Sequence, residues 1–181
     1  MLNARLGRLP LAIMLGLTAT GALGATQGSL GSTSTGSVSI SASVPNRVQL
    51  TGLTDVAFTN QDPAVAAANA QNLCVWSNTS TKGYNVTATG SGTSSAFTLA
   101  SGSLTVPYSV EWAGSSSASS GTALASGTAL TGLTSTATNP TCSTGASSTA
   151  SLIIRIATAS LQSMQPATSY TGTLTLVVAP E

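Results

Sequence analysis

The chain has 181 residues, of which five are Lys or Arg, four are Asp or Glu, and none is histidine. So few cations cannot build a phosphate-tracking surface, which excludes nucleic-acid binding. Without histidine, a Ser–His–Asp or Cys–His arrangement and a histidine metal site are also excluded.

The N-terminus reads as a secretory signal peptide over residues 1–24. Arg5 and Arg8 precede a mostly apolar run over residues 9–23, and Ala22, Leu23 and Gly24 make a small-residue cleavage site. The apolar run of roughly 15 residues is shorter than the ~20 that a spanning helix needs. No cysteine lies near the site, so a lipoprotein anchor is not expected. Cleavage leaves roughly 160 residues, a length that suits one domain. Its charges are Arg47, Lys82 and Arg155 against Asp55, Asp62, Glu111 and Glu181.

Residues 25–36 (ATQGSLGSTSTG) are low-complexity and read as a flexible leader. Residues 37–50 follow as an arm, SVSISASVPNRVQL. Val38, Ile40, Ala42 and Val44 alternate with serines, the period of a strand with one apolar face. Pro45 breaks the run, and Val48 and Leu50 resume it. The residues alone leave two readings open. This is either the first strand of a self-complete sandwich or an arm that completes a neighbour.

The rest, residues 51–181, reads as one β domain. Residues 54–59 (TDVAFT) form a short strand, and the alanine-rich residues 60–72 hold a helical turn or two. Strands follow at residues 73–77, 84–89, 97–99 and 104–112, with Pro107 demanding an edge or a bulge. Residues 113–121 form a mobile Gly/Ser loop, with short β pieces at Leu124 and at residues 130–133. Residues 151–157 (SLIIRIA) are the most apolar interior run and make a central strand. Residues 161–168 loop, and residues 169–178 close the chain with Tyr170, Leu174, Leu176 and Val178 on one face. Many short strands with Gly/Ser/Asn/Pro turns indicate an all-β sandwich.

Cys74 and Cys142 are the only cysteines, and in an exported chain the pair reads as a disulfide. Closing a loop of roughly 70 residues contributes about 4 kcal/mol by the chain-entropy estimate. The carboxylates are scattered, and nothing local supports a glycosidase pair such as Asp62 with Glu111. Trp76 and Trp112 suggest either a sugar-stacking platform or core packing, of which packing is commoner in sandwiches. Asn78 and Asn85 each begin a glycosylation sequon, a frequent and weak motif. Lys82 reads as a solvated charge, and Arg155, inside an apolar strand, must face outward or be paired.

Three stretches together resemble subunits of chaperone–usher pili. The arm VSISASVPNRVQL resembles the N-terminal donor segment of alpha-type (class 5) fimbrial subunits. VPYSVEWAG is similar to their mid-domain strand, and ATSYTGTLTLVVAP to their closing strand. The expected disulfide is more like that of archaic pilins with spore-coat-U-like domains.

The resemblance implies an incomplete immunoglobulin-like Greek-key sandwich completed by a donated N-terminal strand. Val38, Ile40, Ala42, Val44, Val48 and Leu50 would be donor residues, and Tyr170, Leu174, Leu176 and Val178 would face the groove. It further implies a structural subunit without cofactor or metal, not an enzyme. Its partners would be identical or related pilins, a periplasmic chaperone and an outer-membrane usher. The product would be a surface fimbria serving adhesion or biofilm formation. The alternative is a self-complete secreted module binding carbohydrate or a surface ligand.

Overall fold

The computed structural model describes residues 24–181. The expected signal peptide therefore lies outside the described residues, Gly24 excepted. The chain divides into two compact units between Val44 and Pro45.

In the first unit, Thr26 and Ser37 form an antiparallel bridge. Each backbone N–H donates to the other's carbonyl, at 2.9 and 3.0 Å. The leader expected to be flexible is thus closed into a loop at its base. Residues 38–44 beyond it belong to no ladder.

The second unit is an antiparallel β-sandwich, as its alternation indicates. Its strands are β1 (Val48–Thr51), β2 (Ala67–Ser77), β3 (Gly83–Gly90), β4 (Thr98–Ser101), β5 (Leu104–Pro107) and β6 (Ser109–Ala113). They continue with β7 (Thr122–Ala123), β8 (Ala129–Thr134), β9 (Ala150–Ile156) and β10 (Leu174–Pro180); a short α-helix, α1, spans Thr158–Gln162, and a single 3-10 turn spans Thr93–Ser95. One sheet has the order β1-β2-β9-β6-β7, a second has β10-β3-β8, and β4 pairs with β5.

The core lies between the two larger sheets. Leu73, Val75, Val110, Trp112, Ala150 and Leu152 of the first meet Tyr84, Val86 and Ala88 of the second. The alternation of SLIIRIA explains why β9 sits centrally. Leu152 and the partly buried Ile154 pack into this core, and Ser151 and Ile153, on the opposite face, are fully buried.

What covers that outer face is the Gly/Ser loop expected to be mobile. Side chains of the sheet pin it. Ser117 N–H donates to Asn72 Oδ1 at 2.6 Å, Ala118 N–H to Ser151 Oγ at 3.1 Å, and Gly121 N–H to Glu111 Oε2 at 2.9 Å. Arg155 donates from Nε to Glu111 Oε1 at 3.0 Å and from Nη2 to the Ser119 carbonyl. The cation in the apolar strand is paired.

Several local expectations are corrected. The alanine-rich residues after Ala66 are the start of β2, whose register with β9 runs from Ala67 opposite Ile156 to Leu73 opposite Ala150. Seven cross-strand pairs outweigh the modest helix preference of alanine. Only a turn at Asp62 precedes them, closed by Val65 N–H to Asp62 O at 3.0 Å. The α-helix begins between the expected last interior strand and the expected loop, reaching into the loop at Leu161 and Gln162, with Leu161 buried against Ala67, Val106 and Ile156. The expected strand over residues 104–112 is divided at Tyr108, after Pro107 ends β5.

Val48 and Leu50 are corrected as well. Expected in the donor segment, they lie in β1, opposite Ser77 and Val75, and pack on the sandwich core. They are resident residues of the domain.

Candidate functional site: an open apolar groove and an exposed arm

Gly52 ends β1 with φ at +90°, a left-handed backbone that favours glycine, and the carbonyl of Asn72 lies 3.3 Å from where a Cβ would stand. The chain then leaves the ladder. Residues 54–59 were expected to be a strand, and they form none. Thr54 alone is tied to the sheet: its N–H donates to Gln71 Oε1 at 2.8 Å, and Gln71 Nε2 donates back to the Thr54 carbonyl at 3.3 Å. Residues 55–58 make no backbone hydrogen bond among the described residues.

These residues line a groove of about 1270 Å³. Residues 53–61 contribute one stretch of the lining, and residues 164–174, from the end of α1 to the start of β10, contribute another. Core-facing side chains complete it: Leu152, Ile154 and Ile156 of β9, with Leu99, Tyr108, Leu161 and Leu176. β10 pairs only with β3, so its other edge is free of any ladder. The groove therefore combines apolar side chains with unpaired backbone, the two features of an unprotected sheet edge.

Of the residues expected to face such a groove, Tyr170, Leu174 and Leu176 line it. Val178 does not; it packs on the core opposite Val86 of β3. Burial raises the Tyr108 phenol above its ordinary pKa, so the hydroxyl in the groove lining is held neutral. The lining at residues 53–61 and at Leu152, Ile154, Ile156, Leu161 and Met164 was missed from sequence. The signal for the first stretch was present, since Val56 and Phe58 alternate without any neighbouring hairpin partner.

The arm is the complementary feature. Val38, Ile40 and Val44 have relative exposures of 69%, 88% and 79%, and Ala42 is exposed too. These large aliphatic side chains are exposed in strict alternation with serines.

Other candidates resolve into structure. Trp112 is buried at 1% exposure, and Trp76 is half-buried against the cystine, so the two make no sugar-stacking platform. Cys74 and Cys142 form the expected disulfide, with Cα atoms 5.9 Å apart. Asp62 caps its turn by accepting from Ala64 N–H at 2.9 Å. Glu111 is committed to Arg155 and Gly121. Lys82 sits exposed in the turn after β2, in a left-handed conformation at φ +55°.

The sequence matches no known protein-family model and no curated protein.

Proposed function

We propose that the chain is a structural subunit of a surface fibre, polymerised head to tail by strand donation. The observation that carries this reading is the coexistence of an exposed, alternating apolar arm with an open apolar groove of matching chemistry. Residues 38–44 of one copy enter the groove of the next and supply the strand that residues 53–61 and β10 lack. Seven extended residues reach roughly 23 Å, the length of the seven-residue β10 whose edge is open.

Main-chain bonds to the open edges give strength, and alternate side chains fill the groove. Val38, Ile40 and Val44 each contribute about 1.5–3 kcal/mol on burial, and Ala42 less. Because donor and acceptor are different surfaces, the contact is heterologous and does not close, so it builds a filament.

Before assembly the same groove is an aggregation hazard. A periplasmic chaperone that lends a strand, and an outer-membrane usher that exchanges it for the arm of another subunit, remove that hazard. The reading places the chain in an exported fimbria serving adhesion or biofilm formation.

Ile40→Asp in the full mature chain tests it. Ile40 is 88% exposed within its own chain, so the domain keeps its fold and its disulfide. Detergent-resistant multimers are expected to vanish; multimers that persist would overturn the reading.

A further inference from the structure

One side chain holds the residues where the arm meets the domain. The β1–β2 ladder pairs Val48 with Ser77, and past Ser77 the β2 backbone enters the turn that closes with Lys82 N–H on the Thr79 carbonyl at 3.0 Å. Asn78 nevertheless carries the pairing further. Its own N–H donates to the Arg47 carbonyl at 3.1 Å. Its side-chain Oδ1 accepts from Arg47 N–H at 2.6 Å, and its Nδ2 donates to the Pro45 carbonyl at 3.0 Å.

A carboxamide presents a carbonyl acceptor and N–H donors on a short stem, the kinds of group a strand backbone offers. Asn78 thus stands in for the strand that β2 no longer supplies. Its last bond lands on Pro45, the first residue of the compact domain. Proline has no N–H with which to extend the pairing.

We propose that Asn78 is the positioning residue that sets the root of the donated arm. It anchors Pro45 and Arg47 on their own sheet, so donation ends at Val44 and β1 stays behind. This inference rests on the strand-donation reading. The anchor answers a specific hazard: β1 is a four-residue edge strand whose Val48 and Leu50 repeat the arm's alternation. Unanchored, β1 would peel from β2 with the arm, and the domain would lose two core residues as it gave away its strand.

The test is hydrogen exchange on the full mature chain, comparing wild type with Asn78→Ala and Asn78→Asp. Removing both side-chain bonds is expected to speed exchange over residues 46–51 about tenfold, with β9 unchanged. Asn78→Asp retains the acceptor for Arg47 N–H and gives up the donor to Pro45, so its exchange falls between the other two. Exchange at the wild-type rate in Asn78→Ala, equal loosening of β9, or no rescue in Asn78→Asp would overturn the anchor. Multimer formation by the wild type is read separately on a gel. If no multimers form, strand donation fails, and the exchange contrast still decides whether Asn78 anchors Pro45 and Arg47.

Discussion

Trp112 Nε1 donates a hydrogen bond to the Tyr84 hydroxyl at 3.3 Å, and the two rings meet edge to face with centroids 6.4 Å apart. The pair joins β6 to β3 across the sandwich, at residues of 1% and 0% exposure. Both polar atoms of this aromatic core are thereby satisfied by one bond.

Tyr84→Phe leaves the buried indole N–H without its partner, which costs about 1–3 kcal/mol. Equilibrium denaturation checks this. Burial raises the Tyr84 phenol above its ordinary pKa, and the Trp112 bond offsets part of that; Tyr108 is raised by burial alone. A raised pKa keeps the folded phenol neutral while the unfolded one ionises near pH 10. Stability from these groups is full below about pH 10 and is lost as pH climbs through the raised values. The alkaline loss is expected to be shallower in Tyr84→Phe, measured as ΔG of unfolding between pH 9 and 11.

The Cys74–Cys142 bond closes a separation of 68 residues between β2 and the loop after β8. Reduction, or Cys142→Ser with Cys74→Ser, is expected to cost about 4 kcal/mol. For a domain of this size that corresponds to a melting temperature lower by roughly 10 °C. Calorimetry with and without reductant measures it.

Arg155→Ala removes the pair with Glu111 and the bond to the Ser119 carbonyl. The arginine side chain is 37% exposed, so the loss in global stability stays within about 1 kcal/mol. The effect is local. Freed of one pin, the loop between Ala113 and Thr122 is expected to become the first site of proteolytic nicking, read by mass spectrometry of limited digests.

The sandwich was legible because its strands advertise themselves. Tyr84, Val86 and Ala88 alternate cleanly, SLIIRIA is the most apolar interior run, and two cysteines leave a single pairing. The crossovers between sheets were not legible, since turn residues mark where a chain reverses without naming its next neighbour. The start of β2 was missed because alanine prefers helix locally, while its partner β9 lies some 80 residues away, a pairing no local pattern reports. The root of the arm was misplaced for a related reason. Val48 and Leu50 continue the alternation of Val38 to Val44, and what separates them is Asn78, thirty-one residues from Arg47 in sequence. The groove is assembled from the stretch after β1, the core strand β9 and the segment before β10, so only its β10 side, as Tyr170, Leu174 and Leu176, was visible beforehand.

The most direct test of the central claim is a non-reducing gel. A chain that begins at Ala25 is run with and without boiling in detergent, beside one that begins at Pro45. A ladder of multimers that collapses on boiling, and that the shortened chain lacks, is the predicted result. Adding a peptide of residues 36–46 should then keep the shortened chain soluble by filling its groove. A single monomer band from the longer chain would contradict strand donation, and residues 38–44 would then need another role.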